Sequence, residues 1–483
     1  MPLILGAQSA LGAAEVVTNS CRFNSPDSAY LIRTVGTPTD QDKYTFSCWV
    51  KRGLMSNTTQ QVFACEPDGS NRELFFFEAA DSLKYSNNAA GAGNQSLVTT
   101  QLFRDPAAWY NVVVAYDSAQ GVAANRTKLY LNGTQITDFS TEEYVAQDAN
   151  SSYNTSGSVV GVGVNISSPP TSGAESIFDG YIAEFVFSDG QAYTPSDFGE
   201  FDEDSPTIWK PKDVSGLTFG DNGFYLDFED SANLGADVSG NGNDFTETNI
   251  VAADQATDTP DNNFCVNNPT DNYFFDATFS EGNCYLVLSS STNETYGTTT
   301  LGLSAGKWYW EVKYVSDTGN DDAYLGITNA PSLASDDYYL GRATGEYAYE
   351  ASLGKTYTAG SGTAYGNAYT TGDIIGHYLD LDNNKMYWAV NGTVQNSGTG
   401  LSITAIPSTT NGFYWPATSY RSSGSSATFA CNYGGCPSFA ITSGNTDTNG
   451  YGNFEYDPSA GTFDSASKDF LAICTKNLST DGG

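Results

Sequence analysis

Twice in this chain a run of aromatic and aliphatic residues ends in Asn-Gly. Leu129-Tyr130-Leu131 meets Asn132-Gly133, and Met386-Tyr387-Trp388-Ala389-Val390 meets Asn391-Gly392. Asn and Gly enter positive φ more readily than other residues, so the dipeptide selects a two-residue type I′ turn and folds each run back as a hairpin. A chain that turns this way in both halves is committed to antiparallel sheet.

The rest of the sequence agrees. At residues 44–50, Tyr44, Phe46, Cys48 and Val50 alternate with Thr45, Ser47 and Trp49, a strand pattern with both faces partly covered. Similar short runs lie at residues 73–78, 110–116, 128–131, 159–164 and 181–187, with turn residues between them, as in a sandwich or barrel. With 31 Tyr, 27 Phe, 7 Trp and 49 Gly, the composition suits sheet and turns and excludes a coiled coil or helical bundle. At ~100 to 200 residues per domain, 483 residues allow two to four domains.

Charge excludes whole classes of partner. Twenty Lys+Arg against 56 Asp+Glu leave a formal net charge of −36. Nucleic-acid binding needs clustered cations, and an anionic membrane surface would repel this chain. The single histidine, His377, removes every site that needs two imidazoles. Eight scattered cysteines define no disulfide framework, and Cys431 and Cys436 lack the second pair of a zinc ribbon, so free buried thiols are expected.

Residues 1–16 are small and apolar, without the positive n-region of a signal peptide and too short to span a bilayer. They are read as a docking tag, with Leu3, Ile4 and Leu5 as its contacts, and no membrane insertion is expected. Residues 17–200 form a first sandwich. Residues 201–265 carry prolines and acidic Gly-Asn stretches but keep one strand signal at residues 224–228, and read as a structured acidic bridge. Residues 266–483 form a second sandwich with a C-terminal extension. The expected class is all-β: two antiparallel β-sandwich (jelly-roll type) domains in series.

Four segments of the first half, in order, carry a family pattern: residues 44–52 (YTFSCWVKR), 109–117 (WYNVVVAYD), 128–133 (KLYLNG) and 178–185 (FDGYIAEF). They resemble the strands of laminin-G-like domains of the concanavalin A-like lectin/glucanase group. Gly306-Lys307-Trp308-Tyr309-Trp310-Glu311-Val312, Leu325-Gly326-Ile327, the hairpin at residues 372–392, Phe413-Tyr414-Trp415-Pro416-Ala417 and residues 427–434 resemble a SPRY domain. The whole arrangement, with the Asp258-Thr-Pro-Asp-Asn-Asn-Phe264 junction and Ala472-Ile-Cys-Thr-Lys-Asn-Leu478, is similar to virion structural proteins of tailed, particularly marine, bacteriophages. The resemblance implies a fibre, spike or head appendage on the virion surface.

Candidate chemistry is sparse. A glycosidase needs two carboxylates about 5 to 9.5 Å apart. The concanavalin-like hydrolases, by resemblance, supply them as Glu-x-Asp-x-x-Glu, and the nearest match, Glu200 and Asp202, lacks the final Glu. His377 lies within a hairpin strand and is expected to be a packed or edge histidine, not a catalytic base. Asp237, Ser239 and Asn241, with Gly242, follow the first positions of a calcium loop, but position 12 is Thr248, so a bidentate carboxylate is missing. Calcium is the one cofactor considered, beside an ordinary turn. Tyr338, Tyr339, Arg342, Tyr347 and Tyr349 crowd one region, and Tyr414, Trp415, Tyr420 and Arg421 another. Aromatics with Arg make hot spots and sugar-stacking platforms, although alternate tyrosines also pave a sheet face. Ligand binding is assigned to Tyr338, Tyr339, Arg342, Tyr347, Tyr349, Tyr420 and Arg421.

The resulting expectation is a non-enzymatic virion surface protein that binds host-surface glycan or protein. It would dock on other virion proteins through its N-terminus as a homo-oligomer, with a trimer the first choice. A glycan depolymerase and a capsid decoration protein without a receptor role are the alternatives.

Overall fold

The computed structural model describes residues 16–55, 58–68, 70–89, 93–165, 176–271, 277–290, 295–331, 339–409, 411–422, 424–464 and 468–481. Contacts divide the chain into two units, one ending at Asp261 and the other beginning at Asn262. Each is an antiparallel β-sandwich, as the alternation predicts. Among the described residues the α-helix Thr475–Asp481 is short, and no helix is long and apolar enough to cross a membrane.

Among the described residues, the first unit pairs two eight-stranded sheets. At the centre of one, Lys43–Arg52 lies between Trp109–Asp117 and Gly180–Asp189. At the centre of the other, Asn71–Phe77 lies between Ser82–Ala89 and Gln60–Asp68. Period-2 alternation sends Tyr44, Phe46, Cys48 and Val50 inward against Phe63, Phe75, Phe77 and Tyr85. Trp49 points the other way and is still fully buried, because the outer face of this sheet is covered as well.

The cover is built from residues 193–261. Val113 and Val186 of the sheet meet Phe198, Val214 and Phe219, and Trp209 Nε1 donates to Asn111 Oδ1 at 3.1 Å. The Asn132-Gly133 turn lies beneath Trp209. A Cβ on Gly133, whose φ is +77°, would stand 2.4 Å from the indole, so both conformation and space require glycine.

In both Asn-Gly turns the two residues have positive φ: 45° and 77° at 132–133, and 46° and 75° at 391–392. Each Asn side chain also accepts a neighbouring strand's main-chain N–H, Asn111 N at 2.8 Å and Ile374 N at 2.9 Å. The recurrence is therefore a local hydrogen-bonding device.

Among the described residues, the second unit stacks a nine-stranded sheet on a six-stranded one. Trp308, Trp310, Val312, Leu325, Ile327, Tyr349, Trp388 and Phe429 fill the space between them. His377 is buried in this unit, stacked on Trp310 with ring centroids 4.8 Å apart, and neither imidazole nitrogen has a hydrogen-bond partner. The other face of the nine-stranded sheet is covered by the C-terminal extension, where Phe454, Phe463 and Phe470 pack on Tyr309, Tyr378 and Tyr387. Buried Glu311 ties that extension down, accepting the main-chain N–H groups of Glu455 and Tyr456 at 3.0 and 2.8 Å. All eight cysteines are buried, as thiols outside any disulfide.

Candidate functional site

The extension covers one sheet of the second unit, and the outer face of the six-stranded sheet carries a cluster of tyrosines. Its central strands are Trp415–Tyr420, Ala323–Thr328 and Glu346–Glu350. Residues directly opposite across strands share a face, so register shows what lies there. Ser419 is flanked by Tyr296 and Tyr324, and Tyr324 is in turn opposite Glu350. In the next row Ala417, Gly326 and Ala348 lie abreast, with Tyr357 at the end.

Those three small residues make a shallow floor on which Tyr339 and Leu340 pack. Tyr324 lies 4.9 Å from Tyr339 and 5.4 Å from Tyr357, centroid to centroid. Arg421 completes the corner. Its guanidinium carbon sits 4.5 Å from the Tyr339 ring centre and its Nη1 3.4 Å from the Tyr324 hydroxyl, while its main-chain N–H donates to Asp322 O at 3.0 Å. Burial pushes the Tyr324 and Tyr357 phenols up, so both stay protonated donors at neutral pH. Burial also raises the Asp322 carboxyl, with nearby Arg421 opposing it. Arg421 is exposed and Tyr357 half-buried, whereas Tyr324 and Tyr339 are buried beside them, so the corner offers a cation and one phenol held on a packed aromatic base.

The candidate residues read from sequence separate here. Tyr339 and Arg421 meet at this corner. Arg342 is exposed, its main-chain N–H closing a turn onto Tyr339 O at 3.2 Å. Tyr338 and the docking residues Leu3, Ile4 and Leu5 lie outside the described residues. Tyr347, Tyr349 and Tyr420, expected among the ligand contacts, face the core instead. Register sets Tyr347 and Tyr349 opposite Ile327 and Leu325, on the inner side. Their hydroxyls are used internally: Tyr347 is 2.9 Å from Thr404 Oγ1, Tyr349 donates to Asn367 O, and Tyr420 donates to Asp317. Tyr324 and Tyr357 were missed, although alternation along Tyr324-Leu325-Gly326-Ile327 already opposes Tyr324 to the core pair.

In the first unit, Asp237 spends both carboxylate oxygens on main-chain N–H groups: Oδ1 on Tyr225 and Ser239, each at 2.9 Å, and Oδ2 on Asn243 at 2.8 Å. Asn241 aims its amide N–H at the carbonyls of Gly220 and Gly223, and Ser239 Oγ accepts from Asn241 N. The geometry is that of an ordinary hydrogen-bonded turn. Among the described residues no group of three or more His, Cys, Asp or Glu side chains is placed to hold a metal ion. Glu200 and Asp202 are bridged by Lys210 Nζ at 3.4 and 3.7 Å, and Asp202 Oδ1 caps a turn through Asp204 N and Ser205 N.

Comparison with known proteins agrees with the two sandwiches. Residues 25–197 match the family model of the concanavalin A-like lectin/glucanases superfamily, laminin G type, and residues 307–431 match that of the SPRY domain. Ran-binding protein 9 of Danio rerio is 30% identical over 112 residues, 22% of this chain and 17% of that protein. The Homo sapiens protein is 31% identical over the same length, 22% of this chain and 14% of that protein. The chain thus spans less than a fifth of the length of these curated relatives. Among solved structures, the SPRY domain of human HERC1 aligns with 36% of this chain and 99% of its own, at 18% identity and a TM-score of 0.29. A heptameric SAP-like pentraxin from Limulus polyphemus aligns with 38% of this chain and 80% of its own, at 17% identity and a TM-score of 0.29. This chain therefore carries a concanavalin A-like domain of laminin G type followed in series by a SPRY domain.

Proposed function

We propose that this is a non-catalytic recognition protein that holds its ligand at the Arg421–Tyr339–Tyr324–Tyr357 corner of the SPRY sandwich. The observation that carries the reading is the exposed Arg421 guanidinium stacked 4.5 Å over Tyr339, with the half-buried Tyr357 beside the same cluster. A guanidinium held by an aromatic face is oriented before the ligand arrives, so little side-chain entropy is lost on binding. Stacking faces beside directional donors fit a host-surface glycan or an extended protein segment.

The setting, a virion surface of a tailed bacteriophage, rests on the sequence resemblance alone. There the N-terminal segment with Leu3, Ile4 and Leu5 would dock on other virion proteins, and a homo-oligomer, a trimer by preference, would multiply a modest site into avidity.

The test is binding of the purified full chain to host envelope polysaccharide and to envelope proteins, with Arg421→Ala alongside. Saturable binding to one of them that weakens in the variant supports the reading. Equal binding by wild type and variant, or no binding to either, overturns it. Labelling the protein on intact particles tests the virion setting separately.

A further inference from the structure

The outer face of the first unit's central sheet carries a lysine and an aspartate in an unusual setting. Tyr181, Lys51 and Trp109 lie directly abreast on Gly180–Asp189, Lys43–Arg52 and Trp109–Asp117. Asp258 lies against this row from the covering segment. Lys51 Nζ is 2.6 Å from Asp258 Oδ2, and each side chain is 1% exposed. Trp109 Nε1 donates to the other oxygen, Oδ1, at 3.0 Å. The ammonium also faces the Tyr181 ring, 5.8 Å from its centre.

Asp258 is firmly positioned. Its carbonyl accepts Ser20 Oγ–H at 2.7 Å, two residues beyond the point where Ala256 pairs with Ser20 in the sheet. An amine and a carboxyl are thus fixed in contact, in an aromatic enclosure, between residues 207 apart in sequence.

We propose that Lys51 and Asp258 condense to an intramolecular amide. In water an ammonium and a carboxylate do not condense, because each is strongly solvated as an ion and water is in excess. Here both grounds are removed. The ions have lost their hydration, a penalty the pair bears as long as it stays charged and that a neutral amide does not. Fixed contact supplies an effective molarity that reaches ~10⁵ to 10⁸ M in well-oriented intramolecular reactions.

The atoms balance without any co-reactant. A proton passes from Nζ to Oδ2, leaving a neutral amine beside a carboxylic acid. The Nζ lone pair attacks Cγ, and the charge that builds on Oδ1 is met by the Trp109 N–H. A second proton moves from Nζ to Oδ2, the Cγ–Oδ2 bond breaks, and Oδ2 leaves as water. One N–H stays on the amide, Oδ1 becomes its carbonyl oxygen, and nothing is oxidised or reduced. The bond ties a central strand to the segment that closes this unit, and the chain stays looped when unfolded.

Intact mass spectrometry of the purified, denatured full chain tests this directly. The expected result is a species lighter by one water, whose digest contains a branched peptide joining Lys51 to Asp258. Lys51→Arg, which keeps the charge but presents no amine, should restore the full mass. Trp109→Phe should lower the joined fraction at equal time after folding, as judged by the same branched peptide. A wild-type chain that keeps its full sequence mass after prolonged incubation overturns the proposal. So does a water loss that maps to a succinimide at another aspartate. Both readouts come from the wild-type chain, so they stand even where a variant does not fold.

Discussion

Trp49 Nε1 donates a 3.1 Å hydrogen bond to Oε2 of Glu184, on the outer side of the first unit's central sheet. The pair exists because of a β-bulge. Ala183 is opposite Trp49 and Val186 opposite Ser47, so Gly180–Asp189 carries one extra residue there. The extra residue changes the phase of alternation, which lets Ile182 and then Phe185 and Phe187 all reach the core. Glu184 absorbs the irregularity with a φ of +47°, uncommon for a residue with a Cβ, and its other oxygen, Oε1, has no hydrogen-bond partner.

Burial, more than the nearby Asp261 carboxyl, pushes the Glu184 carboxyl well above its ordinary value and favours its neutral form. A carboxyl raised on folding stabilises fully below its unfolded pKa, near 4.5, and loses that contribution as pH rises through the folded value. Glu184→Gln keeps an acceptor for Trp49 and removes the proton. It should match wild type near pH 4 and gain on it above that, by up to about 1.4 kcal/mol per pH unit until the folded-state value is reached. Chemical denaturation at several pH values measures the difference. Parallel pH profiles for the two proteins would contradict the assignment.

His377 and Glu311, both in the SPRY unit, should pull stability in opposite directions. Burial lowers the imidazole from 6.5 to about 3, so its contribution is complete above pH 6.5 and lost as pH falls toward 3. Burial raises Glu311 from 4.5 to about 7, despite the donors from Tyr456, Glu455, Tyr309 and Asn432, so its contribution is complete below pH 4.5 and lost by pH 7. His377→Phe keeps a ring against Trp310 and removes two unpartnered nitrogens. It should abolish roughly 4 kcal/mol of acid destabilisation between pH 6.5 and 3. Glu311→Gln should instead flatten the loss between pH 4.5 and 7. Thermal unfolding followed by tryptophan fluorescence reads both.

Arg52 and Asp81 form a fully buried ion pair, Nη1 to Oδ1 3.1 Å, with Arg52 lying 4.5 Å over the Phe77 ring. The two substitutions that break it should not cost the same. Asp81→Ala leaves a buried guanidinium without a counter-charge, its Nη1 still on the Phe103 carbonyl but its Nε and Nη2 without a partner, and should cost ~3–5 kcal/mol. Arg52→Met leaves Asp81 its 2.7 Å contact with the half-exposed Arg104, and should cost clearly less. Equal losses in denaturant titrations would mean that Arg104 does not hold Asp81.

The strands and both Asn-Gly hairpins were legible in the sequence because each is a local signal, alternation of period 2 or a dipeptide with positive φ, and the order of the two sandwiches followed from the family resemblance. What was not legible depends on register and on cover. Tyr347, Tyr349 and Tyr357 look alike in sequence, and only the pairing of Tyr349 with Leu325, and of Ala348 with Tyr357, sorts them to opposite faces. Nor does any local pattern announce that residues 193–261 bury Trp49 and Trp109. Their anchors, Trp209 on Asn111 and Asp258 on Lys51, join residues 98 and 207 apart. The C-terminal extension escapes in the same way, since its cover over Tyr309 and Tyr387 is made by three isolated phenylalanines.

That sorting of tyrosines separates ligand contacts from scaffold. Arg421 and Tyr357 reach solvent at the corner while packing on its aromatic cluster, so truncating either to alanine should weaken ligand binding by about tenfold or more while costing only about 1 kcal/mol of unfolding free energy. Tyr349 is fully buried against Tyr365, Tyr369 and Trp388, so Tyr349→Ala should cost ~3–5 kcal/mol. The protein that remains folded should bind as wild type does. Isothermal titration with the ligand identified in the binding screen, paired with denaturant unfolding of each variant, distinguishes the two classes. If Tyr349→Ala lost binding in its folded fraction, or Arg421→Ala left affinity unchanged, recognition would have to lie elsewhere on the chain.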